Sequence, residues 1–475
     1  MARRILLVFG AIVLALGLTP VGPAGAAAVT VPVGVTFTDT TGAALHAHGG
    51  GMLKVGSYYY WFGENRNADS TFRYVSVYRS TDLRTWEFRR NVLTQNSHSE
   101  LRTANIERPK VIYNASTGQY VMWMHKENGR DYGEARAAVA VSSTVDGDYT
   151  YLRSFRPLNH MSRDITTFVD SNGTAYMISA ANENADLHVY RLTANYTDIA
   201  ALVHTLWRGS YREAPAMFKR GSVYFLLTSG ATGWAPNQQK YATASSVEGT
   251  WSALQNIGDG TAYSSQTAYV LTIQGSATTS YLYLGDRWAG AWGGPVNDSR
   301  YVWLPLQFPS ATTMSMANAT SVTVDTETGS LSATGLSFER LNVRHSGKCV
   351  DVRDGSTADN GVIIQWTCNG GTNQQWNIRD AGGGYVQIVA RHSGKCLDVT
   401  SAGTADGAGV IQYTCGTGTN QQWRVQTTSD GYVTFAARHS GKCLDLPGSG
   451  TADNIQFKQY PCTNATNQQF RRTAL

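Results

Sequence analysis

The stretch SYREAPAMFKRGSVYFLL, residues 210–227, sets one carboxylate, Glu213, directly before a run that alternates and then turns fully apolar. The phrase recurs. GGMLKVGSYYYWFG, PKVIYNASTGQYVMWM, TTFVDSNGTAYMIS and AYVLTIQGSATTSYLYLG each join a short apolar strand, a turn and an aromatic-rich strand. Counting back four residues from the first apolar residue of each unit (Met52, Val111, Phe168, Met217, Val270) gives His48, Glu107, Asp164, Glu213 and Gln266. All five are polar, and three are carboxylates. Acids that converge in a closed cavity raise one another's pKa, which keeps a carboxyl protonated near neutral pH. A protonated carboxyl beside a group that activates water is what glycoside hydrolysis requires. Acids that only solvate a tunnel would need no such protonation.

Convergence depends on the elements that carry these residues. Tyr59, Tyr120, Tyr176, Tyr224 and Tyr281 mark the five units, at separations of 61, 56, 48 and 57 residues. Units of this length and period suit four-stranded antiparallel blades, and five of them predict a five-bladed β-propeller. A sandwich would also give alternating strands, but not a repeated two-strand phrase. The first strand of each blade lines the axis, so equivalent positions at the starts of five first strands face one pocket. The second strand returns to the same face, and its trailing loop is expected to hold substrate. Those loops supply Glu64, Lys126 and Tyr132, Asn182 and Asn184, Thr232 and Trp234, and Asp286 and Trp288.

A different pattern begins near residue 338. All six cysteines lie beyond residue 348, and RHSGKCVDV, RHSGKCLDV and RHSGKCLDL begin at Arg344, Arg391 and Arg438, a constant step of 47. NQQW, NQQW and NQQF begin at Asn373, Asn420 and Asn467 with the same step. Six cysteines allow fifteen pairings. The threefold symmetry favours one bridge within each repeat: Cys349 with Cys368, Cys396 with Cys415, and Cys443 with Cys462. Trp376, Trp423 and Phe470 of the same motif are expected in a core.

Composition agrees with an exported, turn-rich β protein. The 475 residues include 25 Tyr, 12 Trp and 48 Gly, with 15% charged residues. Flat aromatic faces suit sugar rings, although these residues are also common in strands. MARRILLVFGAIVLALGLTPVGPAGAAAVT has two arginines, an apolar core from Ile5 to Leu18 and small residues around Ala24 to Ala28. It reads as a signal peptide over residues 1–28, too short in its apolar run to anchor the chain in a membrane. A formal charge of +5 gives little support to nucleic-acid binding. The expected organisation is an all-β chain with a propeller over 29–333, a linker over 334–337 and a second domain over 338–475. A secreted monomer without membrane association is expected, and the chemistry asks for no cofactor or metal.

Two resemblances sharpen this reading. Three short all-β repeats ending in Gln-x-Trp resemble the ricin-type β-trefoil lectins, including the family 13 carbohydrate-binding modules. The resemblance implies a shallow sugar site in each repeat: Asp351, Trp366 and Asn373; Asp398, Tyr413 and Asn420; Asp445, Tyr460 and Asn467. In each, carboxylate and amide would bind vicinal hydroxyls while the ring stacks on the sugar. The lectin pattern often has Gln four positions before the second Cys; here Ile364 and Ile411 stand there, and Gln365 and Gln412 fall one later.

The propeller, with an Asp in its third blade (SRDITTFVDSNG) and a Glu in its fourth (YREAPAMF), resembles glycoside hydrolase family 43. The resemblance implies an inverting enzyme with Glu213 as general acid and Asp164 tuning and orienting it. The family's usual Asp base at the start of blade one is missing from ALHAHGGGML. That departure, with NIERPKV and SSQTAYV, resembles the exo-β-1,3-galactanase branch, which implies that Gln266 takes the place of the base with Glu107 essential nearby. The implied substrate is the β-1,3-galactan backbone of arabinogalactan. An α-L-arabinofuranosidase or β-xylosidase of the same family, or a sugar-binding protein that has lost its base, is the alternative.

Overall fold

Alternating apolar and polar residues between Gly- and Asn-rich turns leave the chain little choice but antiparallel sheet. The computed structural model describes residues 28–334 and 338–475. The predicted signal peptide, apart from Ala28, and residues 335–337 of the predicted linker lie outside the described residues. Among the described residues no helix is long and apolar enough to cross a membrane.

Five four-stranded antiparallel sheets follow one another along the chain. Their first strands are His48–Val55, Asn105–Asn114, Ile165–Val169, Arg212–Arg220 and Gln266–Gln274. Their second strands are Tyr58–Arg66, Gln119–Glu127, Ala175–Ala181, Val223–Gly230 and Thr279–Arg287. The first strands neighbour one another in cyclic order, the fifth lying against the first. Apolar layers fill the spaces between adjoining sheets: Trp61, Trp86 and Trp303 pack between the first and fifth, and Tyr60, Phe62, Met122 and Met124 between the first and second. The strand Val29–Pro32 pairs with Ser321–Asp325, tying the two ends of this region together. Closing the ring leaves no long inner edge to pair with other chains.

Residues 339–474 build a second all-β unit, a thirteen-stranded sheet system in three related repeats. Trp376, Trp423 and Phe470 are fully buried in one apolar cluster with Leu341, Leu397 and Leu444. The disulfides join Cys349 to Cys368, Cys396 to Cys415 and Cys443 to Cys462, one within each repeat. The two regions are docked together. Arg472 pairs with Asp259 at 3.0 Å, and the Asp380 carboxylate accepts from the Met316 N–H at 2.9 Å and the Gly258 N–H at 3.3 Å.

Candidate active site

Local defects in the first strands turn the site residues toward the axis. Register shifts fall between His48 and Gly51, Glu107 and Lys110, Glu213 and Ala216, and Thr267 and Tyr269. In three of these strands the next residue is left-handed: Gly49 at φ 61°, Arg108 at 52° and Ala214 at 51°. A bulge of this kind re-aims the adjoining side chain at the expense of ladder pairing. Glycine is required in the first strand for space as well. A Cβ on Gly50 would sit 1.6 Å from the Phe62 carbonyl oxygen, and one on Gly49 2.2 Å from Glu64 Oε1.

The result is a cavity of about 420 Å³ into which Glu107, Asp164, Glu213 and Gln266 project. That volume lies within the range of small-ligand pockets. Glu213 is 8% exposed. Its Oε1 accepts from Gln266 Nε2 at 2.9 Å and its Oε2 from Asn184 Nδ2 at 3.2 Å. Asp164 Oδ2 accepts from the Ala214 N–H at 3.1 Å, which sets the two carboxyls side by side. Burial and then the Asp164 charge push the Glu213 carboxyl up to about 8, against the pull of Arg108 and Gln266. Glu213 therefore carries a proton at neutral pH.

Glu107 is tuned the other way. Its Oε1 accepts from Tyr132 Oη at 2.7 Å and Arg66 Nη2 at 2.9 Å, and its Oε2 faces His125 Nδ1 at 3.0 Å. Burial opposes ionisation, but Arg66 and His125 hold Glu107 well below the usual carboxylate range. Burial likewise opposes charging of His125, yet Glu107 and Glu127 push it up to about 9. One cavity thus holds a protonated carboxyl and a fixed carboxylate, the separation of roles that acid-assisted hydrolysis uses. Glu107, His125 and Asp164 offer ligand atoms within 4.8 Å of one another, as a cation site would. Arg66, Arg108, Glu127 and Tyr132 already neutralise or bind these groups.

Of the residues expected from the second-strand loops, Glu64, Tyr132, Asn184, Trp234 and Trp288 line the cavity. Tyr132 and Trp234 are 41% and 37% exposed at its rim, where rings can stack on a sugar. The other expected residues, His48, Lys126, Asn182, Thr232 and Asp286, do not line the cavity. His48 is buried, its Nδ1 2.9 Å from Asp286 Oδ1 and its ring stacked on Tyr301 at 4.4 Å. Asn182 reaches Asp186, Thr232 donates to the Ala235 carbonyl, and Lys126 pairs with Glu134.

The sequence reading missed Arg66, Arg108, His125, Arg163 and Ser229. Cross-strand register explains two of them, because Glu107 lies opposite His125 and Glu213 opposite Ser229. A one-residue offset along a strand selects the other face. Choosing Lys126 from loop position overlooked that alternation, and Thr232 lies past the end of its strand, Val223–Gly230. Arg108 adjoins Glu107 in NIERPKV, but nothing in a strand pattern announces a bulge that turns both inward.

In the C-terminal region each repeat joins its carboxylate to its amides. Asp351 accepts from Asn373 at 3.0 Å and Gln374 at 2.8 Å, Asp398 from Asn420 and Gln421 at the same distances, and Asp445 from Asn467 and Gln468 likewise. Trp366 and Tyr413 are 39% and 42% exposed beside two of these groups. Tyr460 is half-buried against the turn at Gly407, where a Cβ would lie 3.1 Å from its hydroxyl.

Comparison with known proteins agrees with both regions. Residues 48–268 match glycosyl hydrolases family 43, and residues 337–470 match the ricin-type β-trefoil lectin domain. The structure of an exo-β-1,3-galactanase from Clostridium thermocellum is 49% identical over 94% of this chain and 100% of its own, with a TM-score of 0.66. An exo-β-1,3-galactanase from Phanerochaete chrysosporium, solved with β-1,3-galactotriose, is 29% identical over 94% of this chain and 93% of its own, with a TM-score of 0.62. A family 43 β-1,3-galactosidase, BT3683, solved with galactodeoxynojirimycin, is 33% identical over 60% of this chain and 98% of its own, with a TM-score of 0.56.

Proposed function

Because the chain belongs to glycoside hydrolase family 43 and carries a ricin-type β-trefoil domain, we propose that it is an exported, inverting exo-β-1,3-galactanase acting on arabinogalactan. The catalytic part is a five-bladed propeller over residues 29–333, joined through 334–337 to a sugar-binding module over 338–475. Five four-stranded sheets with cyclically adjoining first strands support the blade count. The relatives described as β-1,3-galactanases support the substrate.

The carrying observation is Glu213, buried in the cavity beside Asp164, where burial and the Asp164 charge push its carboxyl up to about 8. Glu213 gives its proton to the glycosidic oxygen as the bond to the anomeric carbon breaks, water attacks that carbon from the opposite face, and the proton this water sheds passes to solvent, from which the Glu213 carboxylate is reprotonated. Gln266, at the start of the fifth sheet, is the residue that the galactanase branch implies in place of the missing blade-one base. A neutral amide is too weak to deprotonate water, so Gln266 orients groups by hydrogen bonds. Trp234, Tyr132 and Asn184 hold the sugar, and the trefoil sites keep the enzyme on its polysaccharide.

The test is product release from β-1,3-galactan, arabinan and xylan, with the first-formed anomer read by NMR. Galactose from the β-1,3-galactan alone, initially as the α-anomer, is expected. Arabinose or xylose as the main product would move the enzyme to another activity of its family, and no product from any would leave a sugar-binding protein.

A further inference from the structure

Several walls of the catalytic cavity meet on Arg108, a residue that is 4% exposed and held at φ 52°. Its backbone N–H donates to Glu64 Oε1 at 2.9 Å. Its Nε pairs with Asp164 Oδ2 at 2.8 Å, its Nη2 donates to Gln266 Oε1 at 2.6 Å, and its Nη1 donates to the Thr267 carbonyl at 2.9 Å. A non-glycine residue in the left-handed region is strained, and such strain persists where surrounding contacts enforce it. Here the contacts run to the site itself.

We propose that Arg108 is a positioning residue that locks Gln266 as an ordinary amide, its oxygen turned to the guanidinium and its NH2 group aimed at Glu213. Gln266 Oε1 also accepts from Trp288 Nε1 at 2.7 Å. Guanidinium and indole nitrogens donate and cannot accept. The atom between them is therefore an oxygen without a proton, and an imidic O–H would find no acceptor there. The two amide hydrogens are then directed to Glu213 Oε1 and Ser229 Oγ, both at 2.9 Å. Gln266 consequently acts as a donor to the acid. Because the guanidinium spans Asp164 and Gln266 together, it also fixes the neighbour of that acid. A lysine ammonium is one point charge and cannot reproduce the fork.

The inference rests on the assignment of Glu213 as acid, and its test separates the two. Arg108→Lys keeps the charge and loses the fork. On β-1,3-galactotriose its kcat should fall about a hundredfold, as expected for misplaced reacting groups, with KM and melting temperature little changed. Arg108→Gly suits the left-handed backbone and leaves a space for a free guanidinium ion. Guanidinium should restore turnover to this variant at least about tenfold, a gain that methylammonium, which lacks the fork, should not give. Glu213 is faced by Asp164, Glu107, Arg108 and Arg212 among charged groups and by Asn184 and Gln266 as amides. Arg108 pulls its pKa down. The basic limb of the pH profile should therefore move upward in Arg108→Gly and stay in place in Arg108→Lys. If Arg108→Gly does not fold, Arg108→Lys decides the question. Unchanged turnover per folded molecule overturns the inference, as does a loss that only follows the folded fraction. Inactive Glu213→Gln together with fully active Arg108→Lys would reject positioning by Arg108 and leave the functional reading intact.

Discussion

Opposing pulls act on the carboxyl of Glu213. Burial and the Asp164 charge favour its proton, while Arg108 and the Gln266 amide favour its release. The balance near 8 makes a pH prediction with a definite sign. The protonated form is the active one, so kcat should fall as pH rises through about 8. Asp164→Asn removes one charge that raises the pKa, so its basic limb should move to lower pH. Profiles of kcat against pH for the two proteins check this, and coincident limbs would remove Asp164 as the tuning group. Spacing alone revealed Glu107, Asp164, Glu213 and Gln266, because each lies four residues before an apolar strand. His48 fits the same count but turns to Asp286 behind the wall. Arg108 was illegible because its role depends on a backbone turn at a bulge, which leaves no periodic trace.

At the scale of elements, each first strand carries the active-site geometry and each trefoil repeat carries its own staple. The propeller region has no cysteine, whereas each repeat has a bridge closing a separation of 19 residues. Loops of this size are worth about 3 kcal/mol each in the chain-entropy account. The third repeat is joined to its neighbour differently. Lys348 and Lys395 reach Asp453 and Asp359, whose carboxylates also accept from the Thr367 and Thr414 N–H groups. Lys442 pairs with Asp406, but Pro461 stands at the position of those threonines and has no N–H to give. Reduction should lower the melting transition of the trefoil by more than that of the propeller, which loses only what the docked surface lends it. Calorimetry with and without reductant checks this; a matching fall in both transitions would contradict it. The repeats were legible because their 47-residue step is strict. The cover over Tyr460 was not, since it comes from the turn at Gly407 in the preceding repeat.

The whole molecule is more closely joined than a tether between independent domains would suggest. Arg472 is shared by Asp259 of the propeller and Glu339 of its own domain, while Asp380 accepts two propeller N–H groups. These contacts join residues far apart in sequence, and no local pattern foretells them. Truncation after residue 334 should leave an enzyme that still hydrolyses β-1,3-galactobiose, because the residues assigned to the reaction all lie before that point. It should melt several degrees lower, having lost the docked surface, and should bind insoluble galactan poorly. Turnover on the disaccharide, melting temperature and a pull-down on insoluble polysaccharide give the three readouts. An inactive but folded truncation would make the trefoil part of the catalytic unit.

The central claim is that Glu213 supplies the proton that lets a poor sugar leaving group depart. Its most direct measurement is turnover of Glu213→Gln on β-1,3-galactan and on an activated aryl β-galactoside that the wild type accepts. Loss of general acid catalysis is worth about 10²–10⁴-fold, so turnover of galactan should collapse by that order. The aryl substrate leaves with little protonation and should retain much more of its rate. Near-normal turnover of galactan by the folded variant would contradict the account.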